Sequence, residues 1–143
     1  RKFAPASGLA KGAYVLADAS GGRKTPEVIL IGTGSEVSLC VEAYQRLVAD
    51  GVRARVVSMP SWELFAQQSE AYRQSVLPPN VAKVAVEAGV SQGWERWVGN
   101  DKAKSAIIAI DHFGASAPYQ RLYQEFGLTP ENVVKQAKAL LGR

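Results

Sequence analysis

The residues best suited to chemistry form a glycine-rich turn at positions 32–36, directly after the apolar run 28–31. Backbone N–H groups at the start of a helix attract anions, so a phosphate could bind there. A dinucleotide site would need a third glycine, but that position is Val37. It would also need an acidic residue about 20 positions further on, where Ser58 and Met59 stand instead. The lysine of a P-loop is absent as well.

The same turn also fits the start of a helix. With Thr33 as N-cap, Glu36 falls at the N3 position of the capping box S/T-x-x-E. Its carboxylate then stands where a phosphate would sit. With Ser35 as N-cap, Glu36 still lies in the first turn. Helix capping is the favoured interpretation, and binding of a small anion is the alternative.

Two further candidates follow predicted strands. His112 is the only histidine of the chain, and a catalytic histidine needs a nucleophile and an orienting acid, which the sequence does not place. Glu87 could act as a base or cap the turn after its strand. Ligands of α/β proteins gather at the carboxyl ends of strands. Gly34, Ser35, Glu87 and His112 together are therefore a candidate site for a small regulatory anion.

Composition argues against other kinds of site. One cysteine, Cys40, and one histidine cannot form a zinc centre, and no loop resembles a calcium site. The net charge of +4 comes from scattered basic residues rather than a basic stripe, so we expect no nucleic-acid partner. No run of about 18 apolar residues occurs, so we expect no membrane span. The single cysteine excludes an internal disulfide and fits a cytoplasmic location.

Strands that alternate with helices must position these residues. Unbroken apolar runs indicate strands of a parallel sheet that is covered on both faces. A weaker run at 13–17 predicts a first strand, antiparallel at an edge. The other predicted strands are 28–31, 52–58, 83–86 and 106–110. The predicted fold class is α/β, a three-layer α/β/α sandwich with a mostly parallel sheet of about five strands. Residues 1–12 are predicted to be a linker and residues 13–143 one domain.

Apolar spacings of three and four, together with end signals, predict the helices. The apolar face of the first helix starts at Val37, the helix ends at Asp50-Gly51, and Glu42 and Arg46 form an i,i+4 pair on its outer face. The last has Thr129 as N-cap, Pro130 at N1 and Gly142 at C′. The predicted helical segments are 37–50, one or two pieces within 61–77, 91–98, 119–126 and 130–141. Trp94 and Trp97 are expected to seal a core edge or an interface.

Six segments resemble the C-terminal domain of transketolases, and they occur in that family's order. They are Lys-Gly-Ala-Tyr-Val-Leu at 11–16, Gly-Thr-Gly-Ser-Glu-Val at 32–37, Ala-Arg-Val-Val-Ser-Met-Pro-Ser at 54–61, Tyr-Arg-Gln-Ser-Val-Leu-Pro at 72–78, Val-Ala-Val-Glu-Ala-Gly at 84–89 and Phe-Gly-Ala-Ser-Ala-Pro at 113–118. The fourth and sixth segments favour transketolase over the equivalent domain of a deoxyxylulose-phosphate synthase or of a β-type 2-oxoacid dehydrogenase subunit. A free-standing anion-binding or dimerisation module is a further alternative.

The resemblance implies the third domain of a transferase in the pentose phosphate pathway. Transketolases move a two-carbon ketol unit between sugar phosphates with thiamine diphosphate and a divalent metal, Mg or Ca. Cofactor and metal would be bound by the preceding domains of the same chain, in a homodimer, and not by this domain. By itself the domain is expected to support the dimer and not to catalyse. Arg1 is a candidate for the family's substrate-phosphate arginine, although Lys2 stands where glutamine is expected.

Overall fold

A computed structural model of the chain describes residues 10–19, 25–89, 91–110, 124 and 127–143. These residues form a five-stranded sheet whose strand order is β1-β3-β2-β4-β5. The strands are β1 Tyr14–Asp18, β2 Val28–Gly32, β3 Ala54–Ser58, β4 Ala82–Glu87 and β5 Ser105–Ala109. Strands β2 to β5 are parallel, and β1 runs antiparallel to β3 at one edge. The predicted mostly parallel sheet with an antiparallel first strand is confirmed.

Helices cover both faces of this sheet. The helices of the described residues are α1 Val37–Ala49, α2 Trp62–Ala66, α3 Glu70–Val76, α4 Glu95–Val98 and α5 Pro130–Leu140. Helices α1 and α5 pack on one face, and α2, α3 and α4 pack on the other. The three-layer α/β/α architecture is therefore also confirmed. No helix among these residues is both long and apolar enough to cross a membrane.

The hydrophobic core consists of two layers of apolar side chains, one on each face of the β-sheet. Strand β2 is buried along its whole length. Because successive side chains of a strand point to opposite faces, Val28 and Leu30 face α1 and α5, whereas Ile29 and Ile31 face the other three helices. An apolar residue at every position is thus what a central strand between two helical layers requires.

The predicted C-terminal end of α1 and the predicted start of α5 are confirmed. Helix α1 ends at Ala49, and its Glu42 and Arg46 side chains pair at 3.2 Å. At the start of α5, the Thr129 hydroxyl accepts the N–H of Asn132 at 3.2 Å, directly before Pro130. The predicted helix 119–126 lies almost entirely outside the described residues.

The middle of the chain differs slightly from the prediction. The region 61–77 contains two helices, α2 and α3, as expected. Helix α4, however, covers four residues instead of the predicted 91–98, because residues 92–94 form a turn. Gly93 lies in that turn, and glycine is a poor helix former.

Candidate functional site

The glycine-rich turn connects β2 to α1 through a short 3-10 helix, Gly34–Glu36. Thr33 is extended there, with φ −122° and ψ 143°, and its hydroxyl caps no N–H group of this helix. Its backbone carbonyl accepts the N–H of Glu36 at 3.0 Å instead. The predicted capping box is therefore wrong, because the inserted 3-10 turn makes Glu36 the N-cap residue of α1. Ser35 does not take the N-cap position of α1 either.

The Glu36 side chain is buried within this turn. Glu36 is only 4% exposed, and the Ser35 hydroxyl donates to its Oε1 at 3.2 Å. The thiol of Cys40 lies fully buried in the next helical turn, where burial and the nearby Glu36 carboxylate both raise its pKa. A Cβ atom on Gly32 would lie 3.1 Å from Cys40 Sγ, so this glycine permits close packing of β2 against α1. These contacts point to a structural role for the turn.

Glu87 ends β4, which lies beside β2 in the sheet. Its Oε2 accepts the backbone N–H of Gly89 at 2.9 Å, and its Oε1 accepts the indole N–H of Trp94 at 3.2 Å. Trp94 is fully buried and packs edge-on against Trp62, with a ring-centroid distance of 5.1 Å. Of the two predicted roles for Glu87, base or turn cap, this geometry favours the cap. Trp94 and Trp97 both seal the core, as expected.

The structure places Gly34, Ser35 and Glu87 at the same carboxyl edge of two neighbouring parallel strands. Two carboxylates, Glu36 and Glu87, also stand at this edge, and their negative charge opposes an incoming anion. His112 and Arg1, the other candidates, lie outside the described residues. A small-anion site at the carboxyl edge therefore stays a prediction.

Replacing Glu87 by glutamine is expected to lower the free energy of unfolding by about 1–2 kcal/mol, because an amide can accept only one of the two hydrogen bonds. Chemical denaturation followed by tryptophan fluorescence would measure the loss. Glu95→Gln, at an exposed neighbouring carboxylate, is the matched control and should change the stability by less than about 0.5 kcal/mol. Equal stabilities for the two variants would contradict the capping role.

Sequence reasoning missed two buried cations, Arg55 on β3 and Lys83 on β4. Arg55 is 8% exposed and Lys83 is 6% exposed. The Arg55 guanidinium donates to the Asp18 carboxylate of β1 and to two backbone carbonyls at the end of α3. The available signal was a cationic residue near the start of a mostly apolar strand, which indicates a paired or ligand-facing charge when the strand is buried.

Among the described residues, no group of three or more His, Cys, Asp or Glu side chains is arranged as a metal site would require. The turn at the N-terminus of α1 contains the buried Glu36 carboxylate, whose negative charge disfavours a diphosphate there.

Comparison with known proteins gives concordant matches. A family model described as the transketolase-like C-terminal domain matches residues 12–129. A transketolase of Geobacillus stearothermophilus is 51% identical over 137 residues, which are 95% of this chain and 20% of that protein. The structure of a Leishmania mexicana transketolase matches with a TM-score of 0.82 and 40% identity, over 100% of this chain and 20% of that one. A Pichia stipitis transketolase in complex with sedoheptulose-7-phosphate matches with a TM-score of 0.80 and 33% identity, over 99% and 20%. The chain thus spans about a fifth of the length of the relatives it matches.

Proposed function

The chain belongs to the transketolase family as its C-terminal domain, and from this premise we propose that it is the non-catalytic third domain of a ketol-transferring enzyme. The complete enzyme moves a two-carbon unit from a ketose phosphate to an aldose phosphate, in the cytoplasm, as a step of the pentose phosphate pathway. The relative from Pichia stipitis, which was solved with sedoheptulose-7-phosphate, supports sugar phosphates as the substrates. The proposal depends mainly on the extent of the match. Nearly the whole chain matches, and it matches about one fifth of the length of each relative.

Thiamine diphosphate and its divalent metal, Mg or Ca, are proposed to bind to the preceding domains of the same chain. When bound there, the cofactor supplies the carbanion chemistry that ketol transfer requires. This domain offers no equivalent position at the N-terminus of α1, because the Glu36 carboxylate lies in the turn that would receive a diphosphate. Its contribution is instead to pack on the preceding domains and to support a homodimer.

The side chains at the carboxyl edge support this structural role. Both oxygens of Glu87 accept hydrogen bonds from the fold itself. The raised pKa of the buried Cys40 thiol disfavours the thiolate that a nucleophile needs. Arg1 is retained as the candidate contact to a substrate phosphate, since the predicted linker 1–12 would join this domain to the preceding one. A guanidinium forms a fork that suits phosphate oxygens.

Two assays of ketol transfer test the proposal. The 143-residue chain with added thiamine diphosphate and Mg²⁺ is expected to give no turnover above the protein-free control. The second assay uses a chimera in which this chain replaces the corresponding domain of the Geobacillus stearothermophilus transketolase. Because the two domains are 51% identical, we expect a dimeric and active enzyme.

Size-exclusion chromatography of the chimera separates failed assembly from failed catalysis. Turnover by the chain alone would refute the non-catalytic assignment. A chimera that forms the dimer and binds the cofactor, yet has lost activity, would refute the interchangeable third-domain role. The unmodified Geobacillus enzyme, purified in parallel, provides the reference for both dimer formation and rate.

A further inference from the structure

A cavity of about 340 Å³ opens at the amino-terminal edge of the sheet, at the end of β4 opposite to Glu87. It lies between the start of β4, the residues after α3, the end of α4 and the loop that precedes β5. Its charged lining residues are Lys83, Arg96, Asp101 and Lys104. Three of these four side chains are cationic, so the cavity presents an excess of positive charge.

Lys83 is the most deeply buried of these cations. Its side chain is on the face of β4 that meets α4, and its Nζ donates to the backbone carbonyl of Val81 at 3.0 Å. An ammonium group has three donors, and within the described residues no carboxylate lies within ion-pair distance of this one. Burial and the charge of Lys104 both lower the pKa of Lys83. Within the described residues, this ammonium therefore has no ion-pair partner.

The backbone holds Lys104 next to Lys83. The N–H of Lys83 donates to the carbonyl of Lys104 at 2.9 Å, and the following residue, Ser105, pairs with Lys83 in the parallel ladder of β4 and β5. Two ammonium groups near each other destabilise one another, and burial of one of them strengthens the effect. An anion between the two groups would remove this repulsion.

Two further side chains that carry hydrogen-bond donors, Arg96 and Trp97, line the same cavity. The indole N–H of Trp97 is buried, in a side chain that is 9% exposed, and it has no acceptor in the part of the chain that the structure describes. The Arg96 guanidinium lies over the Trp97 ring, 4.7 Å from its centroid, and is exposed enough to turn toward a ligand. The one carboxylate among the lining residues, Asp101, accepts the N–H of Ala103 at 2.9 Å through Oδ1. A buried donor without an acceptor, such as the Trp97 indole N–H, calls for an explanation such as a bound ligand.

We propose that this amino-edge cavity binds a small oxyanion, either free phosphate or the phosphate of a monoester, through Lys83, Lys104 and Arg96. A phosphate fits because its oxygens accept charge-assisted hydrogen bonds from several cationic donors at once. Its charge compensates the buried ammonium of Lys83, and the Trp97 indole supplies one more donor at the wall of the cavity. The site is at the opposite end of β4 from the candidate residues of the carboxyl edge, and it does not depend on the proposed ketol-transfer function.

A titration of the isotope-labelled chain with inorganic phosphate, followed by amide NMR shifts, tests the site. Chloride keeps the ionic strength constant, so that a general salt effect does not produce shifts. We expect saturable shifts at Lys83, Gly99 and Asn100, together with a higher pKa of Lys83 in the phosphate-bound state. Titration with glycerol phosphate is a second arm. Tighter binding of the ester assigns the site to a phosphomonoester, and equal binding assigns it to free phosphate.

Three variants make the test specific. Lys104→Ala changes an exposed residue, so the fold should be retained, and phosphate should bind at least about tenfold more weakly because a charge-assisted hydrogen bond is lost. Lys83→Met, which keeps an unbranched side chain but removes the ammonium, should weaken binding by a similar factor. Lys135→Ala, at an exposed position on α5, is the matched control and should bind as the original chain does.

The proposal is overturned if no saturable shifts occur in the original chain, or if Lys104→Ala binds as tightly as the Lys135→Ala control. It is also overturned if the saturable shifts fall only at residues 34–36, which would place the anion at the carboxyl edge instead. Because Lys104 is exposed, these outcomes remain decisive even if Lys83→Met fails to fold.

Discussion

Replacing Arg55 by leucine is expected to lower the free energy of unfolding by about 3–5 kcal/mol, because it removes a largely buried guanidinium together with its ion pair to Asp18 and its hydrogen bonds to two backbone carbonyls. Arg55 Nε and Nη2 donate to Asp18 Oδ2 at 3.2 and 2.9 Å. Its Nη1 donates to the carbonyls of Ser75 and Val76 at 2.9 and 3.1 Å. One side chain thereby connects the antiparallel edge strand β1, the parallel strand β3 and the end of α3. Leucine keeps much of the volume but supplies no donor.

A second substitution at position 55 and a control at a nearby arginine distinguish the effect of the donor geometry from that of the positive charge. Arg55→Lys keeps the positive charge but not the planar fork of donors, so it should recover only part of the lost stability. Arg53, by contrast, is half exposed, and its Nη1 lies 3.8 Å from Glu27. Arg53→Leu should therefore cost less than about 1 kcal/mol.

Urea denaturation measures the free energy of unfolding of all three variants. A shift of the unfolding midpoint, with the dependence on urea concentration unchanged, indicates a change in stability alone. The interpretation of Arg55 as a tertiary connector would be wrong if Arg55→Leu and Arg53→Leu lost the same stability. It would also be weakened by full recovery in Arg55→Lys, since a point charge would then serve as well as the fork.

Gly12→Ala is expected to cause the second large loss in the free energy of unfolding, about 3 kcal/mol or more. Left-handed backbone strain and overpacking both contribute to this loss. Gly12 is buried where the chain enters β1, with φ +84°. A Cβ atom there would lie 2.3 Å from the backbone nitrogen of Phe65 and 2.4 Å from the carbonyl oxygen of Ser61. Backbone atoms cannot move aside as a flexible side chain does, so the start of β1 would have to separate from α2.

Gly51→Ala is the matched control for the backbone conformation. Gly51 has φ +82°, but no atom lies within 4 Å of a Cβ built on it. The substitution should therefore cost only the conformational strain, about 1–2 kcal/mol. The hydrogen bond from the Tyr72 hydroxyl to the Ala13 carbonyl, 2.8 Å long, gives a local reporter of movement at β1. If the two alanine variants were equally stable, close packing at Gly12 would not be the cause.

These contacts give a physical reason for particular residues in several of the segments that resemble transketolases. Gly12 allows the start of α2 to pack closely against the chain before β1, and Arg55 forms hydrogen bonds that connect β1, β3 and α3. The Tyr72 hydroxyl of α3 donates to the backbone just before β1. Glu87 holds both the turn after β4 and the indole of Trp94. These motif residues act by forming tertiary contacts, which is consistent with a domain whose role is structural.

The strands and the long helices were predictable because their signals are local. A strand buried on both faces is apolar at most of its positions, as in β2, and such a run is visible without knowledge of its neighbours. The start of α5 at Thr129 and Pro130 depends only on residues within one helical turn. The start of α1 was not predictable in the same way. The pattern from Thr33 to Glu36 satisfies the capping box, yet Glu36 turns into the interior and a 3-10 turn precedes the helix.

The glycine-rich turn illustrates the division between the two kinds of information. By itself the sequence determined the α/β class, the order of the elements, the family resemblance and the failure of the dinucleotide fingerprint at Val37, since each depends on residue type and local spacing. Tertiary structure alone decided what the charged residues do. Asp18 meets Arg55, and Lys83 lies beside Lys104, because sheet pairing brings together residues that are distant along the chain. No local pattern encodes which of these charges finds a partner and which is left facing a cavity.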